Sequence, residues 1–212
     1  MTFFSSILNL VIPRQVWRSG NESLTIDRYH KTMPIETEKK YRIAVEQAVE
    51  LAALLEARGG VLQYERFEEN LLYRGGQLDA NNAVLRIRKT GSGSFLTYKE
   101  KANAEDGFKA RLEYETQIAD PAAAEAMIGR LGYQLSLVYE KRRKAWRFAN
   151  CEVVIDELPF GVFVEIEGAP DDIQIAEQRS GVGELEVEPN SYPGLTVKYG
   201  REVEGVKEAR FK

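Results

Sequence analysis

Charged residues of one sign recur at every second position in several segments of this chain. The stretch "IETEKKYRI" at 35–43 is the first of them. Five same-sign pairs occur: Glu36/Glu38, Arg86/Arg88, Glu113/Glu115, Lys141/Arg143 and Glu165/Glu167. Side chains two residues apart in a β-strand leave the same face of a sheet, so each pair shares one face while apolar residues occupy the other. The pattern predicts strands and raises the question of which face is enclosed.

An ordinary sheet with one wet face also alternates charged and apolar residues, and for a single strand this is the common arrangement. Two features of the whole set favour a different one. A solvated face has no need of same-sign pairs, and acidic and basic pairs are about equally common here. Inside a closed barrel, such a set matches a polyanion with a bound divalent cation. Guanidinium and ammonium groups bind phosphoryl oxygens, and carboxylates hold hard metal ions.

Strand patterns separated by turn residues account for most of the chain after residue 34, and about eight strands are predicted. Most are joined by short loops, which favours antiparallel pairing. Helical spacing of apolar residues, with caps, predicts three helices within 44–60, 120–132 and 170–181. Eight strands close into a barrel that holds side chains or one small ligand. The predicted fold is therefore α+β: an eight-stranded antiparallel barrel with a charged lumen and an outer face covered by helices.

Length and composition indicate one domain with short extensions. The chain has 212 residues, of which 43% are hydrophobic, and a net charge of −4. This mildly acidic balance argues against broad binding of nucleic acid or of an anionic membrane. We expect an N-terminal extension at 1–34, a domain at 35–196 and a C-terminal tail at 197–212. The oligomeric state stays open, a homodimer included.

The first residues, "MTFFSSILNLVIPRQVW", are apolar over too short a stretch to span a bilayer, and they make a poor signal peptide. The single cysteine, Cys151, cannot form an internal disulfide, so a reducing compartment is permitted. We expect a cytoplasmic location. The only histidine, His30, precedes the domain, so histidine-based acid–base chemistry is not expected. A lysine of lowered pKa among other cations could act as the base instead, and the candidates are Lys40 and Lys141.

The stretch from Glu36 to Lys40 resembles the E-x-E-x-K signature of the CYTH superfamily, also called triphosphate tunnel metalloenzymes. Further segments follow in family order: "LRIRK", "LTYKEK", "RLEYET", "YEKRRKAW", "VVIDELPFGVFVEIEG" and "SYPGL". The resemblance covers residues 35 to about 196. The family includes class IV adenylyl cyclases, thiamine triphosphatases and inorganic triphosphatases. It implies a tunnel of eight antiparallel strands that binds a triphosphate with one or two Mg²⁺ or Mn²⁺ ions.

The resemblance also implies roles for the charged residues. Those that would bind the metal, or closely support its ligands, are Glu36, Glu38, Glu113, Glu115, Asp156, Glu165 and Glu167. Those that would bind the triphosphate are Lys40, Arg86, Arg88, Lys99, Arg111, Lys141 and Arg143, with Lys40 and Lys141 also the catalytic candidates. The segment "FEENLLYRGG" departs from the family's usual second strand, so its contribution is not assigned.

The expected activity is that of a metal-dependent phosphohydrolase. Its substrate would be a small molecule with a linear triphosphate: inorganic triphosphate, thiamine triphosphate or a nucleoside triphosphate. One alternative is a class IV adenylyl cyclase, which forms cyclic AMP and pyrophosphate from ATP with the same carboxylates and cations. A second alternative is a non-catalytic module that binds polyphosphate or nucleotide. The complete set of carboxylates argues against it, because anion binding alone does not need so many acids.

Overall fold

Strands make up most of the structure, a computed structural model that describes residues 35–102 and 109–212. The predicted N-terminal extension lies outside these residues. The strands are β1 (Ile35–Ile43), β2 (Val61–Arg74), β3 (Val84–Thr90), β4 (Gly93–Ala102), β5 (Lys109–Ile118), β6 (Gln134–Phe148), β7 (Cys151–Leu158), β8 (Gly161–Glu167), β9 (Glu186–Val187), β10 (Arg201–Val203) and β11 (Val206–Ala209). The helices are α1 (Val45–Ala57), α2 (Gly76–Ala80), α3 (Pro121–Arg130), α4 (Pro170–Ser180) and α5 (Tyr192–Tyr199), with a 3₁₀ turn at Val182–Glu184.

The first eight strands close into a barrel. Around it the strand order is β6, β2, β3, β4, β5, β1, β8 and β7, and β7 pairs with β6 to complete the ring. All eight neighbouring pairs are antiparallel. The register places Glu38 of β1 directly opposite Glu167 of β8. The predicted eight-stranded antiparallel barrel with flanking helices is confirmed.

The main hydrophobic core lies outside the barrel wall. Tyr41, Trp146 and Ile166 point outward from their strands and pack with Leu55 of α1 and Ile173 of α4, and all five side chains are almost fully buried. A second cluster joins α2 and α3 to the outer faces of β2, β3 and β6. The apolar face of the sheet is thus the covered outer face. The charged face turns inward, as the same-sign pairs predicted.

The three predicted helices form, and their ends follow the expected signals. Asp120 caps α3, because its side chain accepts a hydrogen bond from the backbone N–H of Ala123 at 2.9 Å. Gly181 ends α4 with a φ of +76°, a conformation that favours glycine. Two helices, α2 and α5, were not predicted. No helix among the described residues is long and apolar enough to cross a membrane.

The segment assigned to a C-terminal tail is structured over most of its length. It contains the end of α5 and the hairpin of β10 and β11, and β11 pairs in parallel with residues 137–139 of β6. Farther along, β6 pairs instead with β7. Arg210 then bridges Glu69 and Glu140 at 2.6 and 2.9 Å. The hairpin therefore continues the sheet beside residues 137–139 of β6, which do not pair with β7.

Replacing Leu55 with alanine tests the external core. Leu55 is fully buried between α1 and the barrel, so Leu55→Ala should lower the free energy of unfolding by about 2–5 kcal/mol. The matched control is Val49→Ala on the same helix, where the valine is 69% exposed and a change within about 0.5 kcal/mol is expected. Urea unfolding followed by circular dichroism measures both. Equal effects of the two substitutions would contradict the packing described here.

Candidate active site

The lumen of the barrel contains a cavity of about 840 Å³ lined largely by charged side chains. The basic residues that line it among the described residues are Lys40, Arg66, Arg74, Arg86, Arg88, Lys99, Lys101, Arg111, Lys141 and Arg143. The acidic ones are Glu38, Glu113, Glu115, Glu152, Glu165 and Glu167. Ten cations therefore face six carboxylates. This excess of positive charge suits a polyanionic ligand with several oxygens.

On one side of the lumen, β3 and β4 present cations to two carboxylates of β5. The Nη2 atom of Arg88 lies 2.7 Å from Glu115, and that of Arg86 lies 3.6 Å from Glu115 and 3.9 Å from Glu113. Lys99 also forms an ion pair with Glu113. The structure thus places Glu113 and Glu115 among the cations. These pairs hold the guanidinium groups of Arg86 and Arg88 inside the lumen.

Two fully buried carboxylates, Glu68 and Asp156, fix the cations of β6. The Nζ atom of Lys141 lies 3.4 Å from Glu68 and 3.3 Å from Asp156. Arg143 donates two hydrogen bonds to Asp156, at 2.7 and 2.5 Å. Arg66 donates to Glu68 at 2.6 Å. Asp156 does not line the cavity, and its oxygens contact Lys141 and Arg143.

The pKa values of this buried group follow from its charges. Burial alone would raise the pKa of Glu68, but Lys141 and Arg143 outweigh burial and hold that pKa far below its usual range. The pKa of Lys141 is lowered, first because the ammonium is buried and second because Arg143 repels it. Glu68 is therefore ionised at neutral pH, and Lys141 gives up its proton more easily than an exposed lysine.

Carboxylates gather where β1 meets β8. Glu38 and Glu167 are register partners, and Glu165 is two residues from Glu167 on the same face of β8. Lys40 and Arg143 lie 3.2 and 2.8 Å from Glu165, and against the opposing effect of burial they lower the pKa of Glu165 to about 2. The pKa of Glu38 is instead raised, by burial and then by the charge of Glu165. Negative charge is concentrated at this point of the lumen.

This cluster is the part of the lumen that suits a divalent cation. Among the described residues no three acidic, histidine or cysteine side chains stand close enough together to form a ready-made metal site. The donors are nevertheless carboxylate oxygens, which Mg²⁺ and Mn²⁺ prefer, and a cation beside Glu38 would offset its buried charge. Glu36 lies two residues before Glu38 in β1, opposite Arg111 of β5. Its side chain is outside the described part of the chain.

Lys40 is enclosed at the centre of the lumen, with only 2% of its surface exposed. Its Nζ atom lies 3.2 Å from Glu165 and 3.1 Å from the backbone oxygen of Asn190. The same atom is 3.8 Å from the centre of the Tyr192 ring. Lys40 is therefore held by β8 on one side and by the start of α5 on the other.

The structure adds residues to the site that the sequence patterns did not single out. From β2, Tyr64, Arg66 and Glu68 face inward, and Tyr139 of β6 and Tyr192 of α5 also line or close the cavity. Alternate positions in β2 could have indicated the first three. Their mixture of an aromatic ring, a cation and a carboxylate hides them from a search for same-sign pairs.

The lining of the lumen beside α5 includes a group of apolar side chains, with Arg74, Asn82 and Ser136 close to them in sequence. Leu72, Val84 and Leu137 come from the strands, and Pro193 and Val197 come from α5. This end of the lumen is packed by a hydrophobic cluster in which Leu195 of α5 meets Phe163 of β8. The lumen therefore has a charged middle and, beside α5, an end that can accept an organic group.

Comparisons with known proteins agree with this geometry. The family model of the CYTH domain matches residues 34–191. Among solved structures, the PH1012 protein of Pyrococcus horikoshii is 26% identical with a TM-score of 0.63, over 74% of this chain and 96% of that one. A candidate adenylate cyclase from Vibrio parahaemolyticus is 22% identical with a TM-score of 0.59, over 74% and 95%.

A further structure, HpAC1 from Hippeastrum, is described as an adenylyl cyclase candidate with a dominant triphosphatase activity. It is 17% identical with a TM-score of 0.57, and the match covers 80% of this chain and 98% of that one. No curated protein matches the chain. The structural matches below 25% identity show that the fold is shared.

The raised pKa of Glu38 gives a prediction about stability without metal. Because ionised Glu38 is partly buried beside the negative charge of Glu165, its own charge destabilises the folded state above that pKa. Glu38→Gln should therefore raise Tm by a few degrees at pH 8, since each kcal/mol moves Tm by about 2–4 °C in a chain of this size. The increase should disappear as the pH falls below the pKa of Glu38.

Melting in excess chelator, at several pH values, measures this effect. Glu157→Gln is the control, because Glu157 lies on the outer face of β7 with 48% of its side chain exposed. Little change is expected for the control. A Tm for Glu38→Gln below that of the wild type at pH 8 would show that Glu38 is held in a favourable pair instead.

Proposed function

Since the chain belongs to the CYTH domain family, we propose that it is a divalent-metal-dependent phosphohydrolase that cleaves a linear triphosphate bound inside the barrel. The observation that carries this proposal is the lumen itself, where ten cations face six carboxylates around an enclosed cavity. A single phosphate does not need so many cations. A chain of three phosphoryl groups presents oxygens along a line, which matches cations supplied by several strands around the lumen.

Arg86, Arg88 and Arg143 would bind the phosphoryl oxygens. Each already has an acidic partner that fixes its guanidinium group, so little movement is needed when the substrate enters. Glu38, Glu165 and Glu167, with Glu36 beside them in sequence, would hold Mg²⁺ or Mn²⁺. When bound, such an ion neutralises phosphate charge and makes a coordinated water more acidic.

Lys141 is the residue that we propose to accept the proton of the attacking water. Its lowered pKa makes the neutral amine easier to reach than in an exposed lysine, and Glu68 and Asp156 then stabilise the ammonium that forms. The water oxygen forms a bond to the terminal phosphorus, the bridging P–O bond breaks, and the diphosphate product leaves. Lys40, which contacts Glu165, the backbone oxygen of Asn190 and the Tyr192 ring, would bind the substrate.

A second candidate is the adenylyl cyclase reaction, and the apolar side chains beside α5 favour it. Leu72, Val84 and Leu137 could contact an adenosine group while the triphosphate occupies the charged middle. The ribose 3′-hydroxyl would then attack the α-phosphorus and pyrophosphate would leave. Hydrolysis is the first choice, because the described dominant activity of HpAC1 is that of a triphosphatase. Simple anion binding would not need the carboxylate of Glu38, which is partly buried, close to that of Glu165. The single buried cysteine agrees with the proposed cytoplasmic location.

One incubation series tests the proposed activity. Inorganic triphosphate, thiamine triphosphate and ATP are each offered with Mg²⁺ or Mn²⁺, and the products are scored as orthophosphate or as pyrophosphate with cyclic nucleotide. Orthophosphate release that stops in excess chelator, and that Glu167→Gln reduces by about 100-fold or more without unfolding the chain, is expected. Full turnover in chelator would disprove the metal dependence. Pyrophosphate with cyclic AMP as the main products would establish the cyclase.

Arg86→Ala tests the assignment of the cationic wall. Loss of a charge-assisted hydrogen bond to a phosphoryl oxygen should lower kcat/KM for the triphosphate about 10- to 100-fold. The control is Arg142→Ala, because Arg142 lies on the outer face of β6 with 56% of its side chain exposed and pairs with Glu157. Steady-state kinetics with both variants decides. Wild-type kinetics for Arg86→Ala would place the substrate elsewhere.

A further inference from the structure

One side chain of α5, that of Tyr192, reaches two lysines of the lumen, Lys40 and Lys141. Tyr192 is 5% exposed, and the centre of its ring lies 3.8 Å from the Nζ atom of Lys40 and 5.3 Å from that of Lys141. Its hydroxyl donates a hydrogen bond to Asp156 at 2.9 Å. A helix that follows the last barrel strand in sequence therefore contributes a side chain to the centre of the proposed site.

We propose that Tyr192 is a positioning residue that holds Lys40 and Lys141 where they meet the triphosphate. This proposal takes from the proposed function the triphosphate as ligand, and it does not depend on which reaction follows. Tyr192 acts through two separate contacts, one from its ring and one from its hydroxyl.

The ring acts on Lys40. An ammonium group has three N–H bonds, and the groups in contact with the Lys40 ammonium include Glu165, the backbone oxygen of Asn190 and the face of the Tyr192 ring. The negative face of an aromatic ring attracts a cation but offers it no oxygen atom as a hydrogen-bond acceptor. Without the ring, the Lys40 ammonium would turn toward the remaining oxygens and away from the substrate.

The hydroxyl acts on Lys141 through Asp156. The Oδ2 atom of Asp156 accepts hydrogen bonds from Tyr192, Arg143 and Lys141, at 2.9, 2.5 and 3.3 Å. The contact to Lys141 is the longest, so its geometry is set by how the other two donors place the carboxylate. If the tyrosine donor is lost, Asp156 can rotate toward Arg143, and Lys141 then keeps Glu68 as its nearer acidic partner.

The position of Tyr192 is itself fixed by the C-terminal part of the chain. Its ring packs edge-to-face on Phe163, with the ring centres 5.5 Å apart, and its backbone oxygen accepts a hydrogen bond from the Thr196 hydroxyl at 2.8 Å. Just before the helix, Glu188 accepts hydrogen bonds from Arg42 and from Asn190, both at 2.9 Å. These contacts tie the start of α5 to β1 and β8 and leave the tyrosine ring little freedom.

The test compares the affinity of four proteins for inorganic triphosphate: the wild type, Tyr192→Phe, Tyr192→Leu and the control Tyr199→Phe. Isothermal titration is carried out without metal, where turnover is not expected. Tyr192→Phe keeps the ring and loses the hydroxyl, whereas Tyr192→Leu loses both. Tyr199 is on the same helix and is 49% exposed, so its hydroxyl can be removed without touching the lumen.

We expect a Kd about threefold higher for Tyr192→Phe and about tenfold or more higher for Tyr192→Leu, with no change for Tyr199→Phe. Where turnover is measurable, kcat should fall in the same order. A purely structural role would lower the number of binding sites through partial unfolding but would leave the Kd of the folded fraction unchanged. The graded change in Kd therefore separates positioning from stability.

Two results would overturn the proposal. The first is a wild-type Kd for Tyr192→Phe, which decides the matter even if Tyr192→Leu fails to fold. The second is a loss of affinity in Tyr199→Phe as large as that in Tyr192→Phe. Such a result would mean that the effect comes from α5 as a whole and not from Tyr192. If the wild-type protein binds triphosphate but cleaves nothing under any metal condition, the proposed function fails while the Kd values still decide the role of Tyr192.

Discussion

The burial of ionised side chains inside a closed barrel is the constraint on which the rest of this structure depends. A charge removed from water costs several kcal/mol unless a partner and hydrogen bonds compensate for it. The chain meets this cost by pairing. Fully buried Glu68 pairs with cations of β2, β3 and β6, and fully buried Asp156 pairs with two cations of β6. Glu165 lies between Lys40 and Arg143. Cations still outnumber acids in the lining of the cavity, ten to six. The polyanion proposed as substrate would offset this excess.

Sequence reasoning predicted the fold because the side-chain period of a strand is fixed. Same-sign pairs such as Arg86/Arg88 and Glu165/Glu167 identify the inner face, and a one-residue shift would expose every apolar partner. The second strand carried no such pair on its inner face, where Arg66 and Glu68 have opposite signs. Its contribution could be found only from the neighbours that the barrel brings to it.

Periodicity predicts which face of a strand a side chain occupies, but it does not predict which residues that side chain contacts. Asp156 lies on the inner face as its position in β7 requires, yet its oxygens are occupied by Arg143, Lys141 and Tyr192. Tyr192 lies in the segment "SYPGL" of the family resemblance, but no role for it followed from local pattern, because its contacts depend on how α5 packs across one end of the lumen. The strands β10 and β11, of three and four residues, are too short for a period to be recognised, and pairing with β6 is what orders them.

The division of β6 between two partners has a consequence for synthesis. A nascent chain can pair all eight barrel strands while residues 192–210 are still inside the ribosome exit tunnel. At that stage one half of β6 lacks its neighbour, and Leu72, Leu137 and Phe163 lack the cover of α5. Such an intermediate exposes an apolar mouth and an open strand edge, which are features that chaperones bind. The cover over this mouth is therefore completed only after residues 192–210 have also emerged.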